Sequence, residues 1–167
     1  LSATISLTFE QTYGGVEGDS ASMAELIAIL SDLSGVPVRQ DLAITGAVNQ
    51  LGQSQAIGGV HHKIEGFYRT CREAGPLTGM QGVIVPRANE PNLVLSRTVS
   101  EVVRAGQFHI WSVAHVEDAI ALMLDTPVGK ADARGDYLPD TVFGRVAATL
   151  ARFERALDRV GTRDGQL

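Results

Sequence analysis

Hydrophobic and polar positions alternate with two distinct periods along this chain. Residues 3–9 place Ile5, Leu7 and Phe9 at every second position among small polar residues, which predicts a half-buried strand. A polar loop with three glycines follows over 10–19. From Ser20 the period changes, with Met23, Leu26, Ile27, Leu30 and Leu33 recurring at three- and four-residue steps until Gly35 and Pro37 stop the run. That spacing predicts a helix. Asp19, Ser20 and Ser22 are all able to cap it, and Ser22 with Glu25 forms a capping-box pattern.

Residues 42–48 read as a strand interrupted by Gly46, with a turn near Gly52 and a short strand over 55–57. After the Gly58-Gly59 pair, Val60, Ile64, Phe67 and Cys71 line one face of a second helix that ends near Gly75-Pro76 and carries Lys63 on its first turn. A buried strand is expected over 82–85, closed by Pro86. A helix capped by Thr98 with Glu101 follows over 98–104, then a strand over 108–113 and a helix marked by Val116, Ala119, Ile120 and Met123. Residues 128–140 lack periodicity and read as a loop or linker, so a first domain is placed at 1–127. Over 141–167, Val142, Val146, Leu150, Phe153, Leu157 and Val160 form an amphipathic helix that docks on the domain or pairs with a neighbouring subunit. Strands interleaved with helices make the fold class α/β or mixed α+β.

Composition narrows the function classes. Fourteen Lys and Arg against nineteen Asp and Glu give a net charge of -5, which disfavours a nucleic-acid backbone as partner. At 167 residues and 44% apolar, one domain can bury roughly 70% of its unfolded surface. Cys71 is the single cysteine, which fits a reducing compartment. No apolar run spans a membrane and no secretory leader pattern is present, so a cytoplasmic location is expected. The start at Leu1, already in a strand-like pattern, suggests a piece of a longer protein.

Ser20 and Lys63 are the candidate chemistry. A serine hydroxyl becomes a nucleophile when a neighbour takes its proton, and a helix start offers unpaired N–H groups that favour developing negative charge and could line an oxyanion hole. A lysine serves as that base only as a neutral amine, and Val60, Ile64 and Phe67 are expected to supply the apolar surroundings this needs. The plainer alternative is that Ser20 is a helix cap and Lys63 a solvated charge. The residues alone leave both readings open.

The order of the segments GDSAS (18–22), ITGAVNQLG (44–52) and IGGVHHK (57–63) resembles the proteolytic domain of the Lon protease family. The similarity runs from about residue 3 to 125 and includes Arg39, Asp41, Gly52 and Gly58. The resemblance implies a compact fold like the second domain of ribosomal protein S5, with Ser20 as nucleophile, Lys63 as general base and Thr45 holding the lysine. It also implies that Asp19 and Glu17 shape the loop before the serine. Many bacterial members have Asp-Gly-Pro before the serine and an acid after the Thr-Gly. Here those positions are Glu17-Gly18-Asp19 and Ala47, and the acidic loop resembles instead the archaeal, membrane-type branch and a group of Lon-like bacterial proteins.

By the same resemblance the substrates are unfolded polypeptides or peptides, the assembly is a hexamer, and an upstream ATPase domain would hold ATP and Mg. This chain has no phosphate-loop motif and is expected to hold no cofactor itself. Two rivals remain. One is a catalytically silent domain of this fold that serves assembly or regulation, and the other a nucleic-acid-binding domain of the ribosomal-protein type. Elsewhere, His61 and His62 point about 100° apart on a helix with no third ligand following, so no metal site is expected. Cys71 on the apolar helix face, His109, His115, Trp111 and the tripeptide Arg134-Gly135-Asp136 read as structural or incidental.

Overall fold

The computed structural model describes residues 4–8 and 18–164. Its elements in chain order are helix α1 (Ser22–Ser34), strands β1 (Leu42–Ile44), β2 (Ala47–Val48) and β3 (Ser54–Gln55), helix α2 (Val60–Ala74) and strand β4 (Gly82–Pro86). A 3₁₀ helix (Arg87–Asn92), helix α3 (Arg97–Arg104), strand β5 (His109–Val113), and helices α4 (Val116–Leu124) and α5 (Val142–Asp164) complete the chain. The fold is mixed α/β, in agreement with the alternation of periods.

Strands β1, β4 and β5 form a parallel sheet with β4 in the centre, in register Leu42↔Gly82 and Gly82↔His109. All five residues of β4 are buried, as a central parallel strand covered on both faces requires, and this explains the unbroken apolar run GVIVP. Its side chains divide between two cores. Ile84 joins Met23 and Ile27 of α1, Ile120 of α4 and Val142 of α5 on one side. Val83 and Val85 meet Val60 and Ile64 of α2, Val99 of α3 and Phe108 on the other. Each fully buried aliphatic side chain contributes about 1.5–3 kcal/mol relative to exposure, so these layers hold the sheet between helices.

Local signals placed most helices but not all caps. α1 ends at Gly35 in the left-handed conformation, as the Gly stop predicts. Its expected capping box is absent: Ser22 Oγ instead accepts the N–H of Val48 at 3.1 Å, across 26 residues. At α3 the cap is Ser96, accepting from Val99 N, while Glu101 pairs with Arg97 one turn earlier. In both cases a partner brought in by the fold or the preceding turn outcompetes the local capping geometry.

Residues 4–8 carry no strand, and Ile5 and Leu7 are exposed, so this part of the strand expected at 3–9 is not formed. A period-two pattern marks a strand only where a sheet edge accepts it, and no described residue pairs with this segment. Residues 3 and 9 lie outside the described residues. At the other end, α5 packs on α1 through its first turns, where Val142 is fully buried.

Between α1 and β1, Arg39 donates two hydrogen bonds to Asp41, at 3.0 and 2.6 Å. The guanidinium beside it holds the Asp41 carboxyl below its ordinary range, against a smaller opposing push from burial, and the same pair raises Arg39. A carboxylate with a depressed folded-state pKa stabilises the fold above its unfolded value of about 4, and that contribution disappears as pH falls through the folded value. Asp41→Asn is therefore expected to cost about 1 kcal/mol at pH 7 and progressively less below pH 4. Urea melts of both proteins at pH 7 and pH 3 test this, and an equal gap at both would refute the assignment.

Candidate active site

Ser20 lies in the turn just before α1, with Ala21 at the N-cap position, so it precedes the first helical turn rather than occupying it. Three backbone hydrogen bonds fix this turn: Ser22 N to Asp19 O, Met23 N to Gly46 O and Gly46 N to Ser20 O, at 3.0, 3.2 and 2.9 Å. The last two tie the start of α1 to the break between β1 and β2. The interruption that Gly46 signals in the sequence is thus the point where the strand leaves the sheet to hold the serine.

Thr45, at the carboxyl end of β1, is buried and bonded on both sides. Its N–H donates to Ile84 O on β4 at 3.1 Å, and its hydroxyl donates to Ser20 O at 3.3 Å. Lys63 reaches the same place from the first turn of α2. Its Nζ lies 2.8 Å from Ser20 Oγ and 3.0 Å from Thr45 Oγ1. Residues 43 positions apart in sequence are therefore in direct contact. Gly59, the N-cap of α2, has φ 64, a left-handed conformation that a side chain would strain. It is there that the chain turns to aim this helix.

The structure places the apolar neighbours of Lys63 differently from expectation. Val60 and Ile64 are buried against β4, Phe67 stacks toward Phe108 at 6.3 Å, and Lys63 is exposed. Helix geometry gives the reason: Val60, Ile64 and Phe67 project about 40–100° to one side of Lys63, which leaves the lysine at the rim of the apolar face. Its amine contacts two hydroxyls and is not enclosed in hydrocarbon.

A cavity of about 380 Å³ opens beside Ser20 and Lys63, lined by these two and by Ala21, Ala24, Ala43, Ile44, Thr45 and Val83. Its other walls are apolar and small, so a peptide carbonyl could approach Ser20 Oγ. The amides of Ser20 and Ala21 belong to the turn at this helix start, the kind of backbone position that can serve an oxyanion. A larger hollow of about 590 Å³ lies at the far end of α2. Its titratable side chains are Asp41, engaged with Arg39, and Cys71, whose thiol burial pushes up, so the larger space lacks an activated nucleophile.

Asp19 is exposed, contributing its carbonyl to the turn, and Glu17 lies outside the described residues. No sequence pattern points to Asn89, in the 3₁₀ helix after β4. Its buried amide accepts from Ile57 N at 3.1 Å and donates to Ile57 O at 2.8 Å, on the approach to α2. Among the described residues there is no cluster of three or more potential metal ligands, and no helix is long and apolar enough to cross a membrane.

Residues 13–126 match the profile of the Lon protease (S16) C-terminal proteolytic domain. The chain is 52% identical over 120 residues to a Lon protease homolog of Escherichia coli strain K12, covering 72% of this chain and 20% of that protein. It is 41% identical over 136 residues to a homolog from Haemophilus influenzae, covering 81% and 22%. An archaeal Lon protease of Thermococcus kodakarensis is 37% identical over 120 residues, covering 72% and 17%. The chain thus spans about a fifth of the length of the curated relatives it matches.

Proposed function

Because the chain belongs to the Lon protease family, we propose that it is a serine endopeptidase domain in which Ser20 attacks the peptide carbonyl and Lys63 is the general base. The observation that carries this reading is the 2.8 Å separation of Lys63 Nζ and Ser20 Oγ. As a neutral amine, Lys63 takes the hydroxyl proton as the Oγ–C bond forms. The tetrahedral oxyanion meets the amides of Ser20 and Ala21, and the ammonium returns its proton to the leaving amine as the C–N bond breaks. Water, deprotonated by the same lysine, then hydrolyses the acyl ester and frees Ser20 Oγ. Thr45, bonded to Lys63, orients the amine.

The substrates on this reading are unfolded polypeptides, and the domain works within a longer cytoplasmic, ATP-dependent protease that assembles as a hexamer. ATP and Mg belong to the ATPase part of that protein. The exposure of Lys63 favours a second reading, a catalytically silent domain used for assembly.

Short unstructured fluorogenic peptides separate the two, since they need no unfolding. Ser20→Ala is expected to lower turnover by at least about 10³-fold, because among the described residues no hydroxyl but those of Ser20 and Thr45 contacts the Lys63 amine. Turnover that survives in Ser20→Ala would exclude Ser20 as the nucleophile.

A further inference from the structure

We propose that Asn89 is a positioning residue for Lys63, a role that rests on the peptidase reading above. The clamp is local and complete: both polar atoms of one buried amide are spent on the N–H and C=O of Ile57, as a neighbouring strand would spend them. Ile57 lies just past β3 and just before Gly58 and Gly59, where the chain turns into α2. At that turn α2 has no side-chain cap, and Lys63 N donates to Gly59 O at 3.3 Å. Asn89 is therefore a polar side chain that fixes the backbone at the last step before the turn into α2.

The other end of the clamp lies close behind the buried central strand of the sheet. Asn89 follows Pro86, the last residue of the fully buried β4, by three positions. Thr45, the second contact of the lysine amine, is bonded to Ile84 on the same strand. Both the lysine's approach loop and its threonine partner are thereby referenced to β4. Removing the amide takes the side-chain partner from both backbone groups of Ile57 and loosens the loop that aims α2, and displacements of about 1 Å at a reacting group can cost about 100-fold in rate.

The chain has two lysines, Lys63 and Lys130, so side-chain NMR with ¹³C at lysine Cε gives two signals, and Lys63→Arg identifies one. In Asn89→Ala the Lys63 signal is expected to move toward its random-coil position while that of Lys130 stays. Turnover of the fluorogenic peptide should fall about 10–100-fold in kcat with KM changed less than about threefold. Asn89→Asp keeps the acceptor for Ile57 N but loses the donor at neutral pH, and should shift the signal part of the way, which covers the case where the alanine variant fails to fold. Leu124→Ala, a core truncation on the opposite layer, controls for stability and should leave the Lys63 signal in place.

An unmoved Lys63 signal in a folded Asn89 variant overturns the proposal, as does an equal shift in Leu124→Ala. Absence of Ser20-dependent turnover in the parent chain would instead defeat the peptidase reading, with the lysine signal still deciding whether Asn89 positions the amine.

Discussion

Lys63→Arg is expected to lower peptide turnover by about 10²–10⁴-fold, the usual contribution of a general base, with little change in stability. Arginine carries a fixed positive charge and can donate to Ser20 Oγ and Thr45 Oγ1, which the lysine amine contacts at 2.8 and 3.0 Å. What it cannot do is lose a proton near neutral pH, so it is unable to take one from the serine. The substitution therefore separates two roles that Lys63→Ala would remove together. Lys63 is exposed, so its exchange should alter folding by less than about 0.5 kcal/mol. Steady-state turnover and a denaturant melt of the same preparation supply both numbers. A variant that keeps turnover within tenfold would show that the lysine only tethers the serine, and the base would have to be sought elsewhere.

Gly82→Ala should damage the sheet severely for a single added methyl, costing about 3 kcal/mol or more. A Cβ at this position would overlap the carbonyl oxygen of His109 and the Trp111 ring, with His109 C at 2.9 Å. The oxygen belongs to the neighbouring strand, where Gly82 and His109 are in register, so it cannot swing away like the end of a flexible side chain. Relief requires parting β4 from β5 at their start or shifting the Trp111 ring, which is itself packed against His109 at 5.1 Å between centroids. The midpoint of urea unfolding should fall sharply with an unchanged slope. A loss under 1 kcal/mol would mean that the strand start yields more easily than a central parallel strand should.

Sequence periodicity located every helix of four or more turns because each buries a single face, and faces are written at fixed spacing. The central strand was legible for the opposite reason, since GVIVP is apolar throughout and a parallel strand covered on both sides has no polar face. What escaped was long-range. Ser22 looks like a cap until Val48 arrives to claim its hydroxyl, and Thr98 looks like one although Ser96 lies two residues nearer the true start. Ser20 and Lys63 are nameable from their motifs, yet the surroundings of Lys63 are not. Helical spacing gives the angle of Val60, Ile64 and Phe67 but not which side of that arc faces β4. Asn89 had no motif at all, because its meaning depends on a backbone segment 32 residues away.

The docking of α5 also bears on where this protein can be cut. The family match stops at residue 126, but the packing does not. Val142 has no exposed surface and sits in the same core as Met23 and Ile27, while Val142 N and Phe143 N donate to Pro127 O and Val128 O. A Cβ on Gly144 would strike Leu138 O, so the helix and the preceding turn are fitted backbone to backbone. An expression boundary drawn at residue 127 would uncover the α1 side of the core, the very helix whose first turn follows the serine. A shortened protein or a fusion partner should therefore begin its change well past Val146, on the half of α5 where Phe153 and Leu157 already face outward.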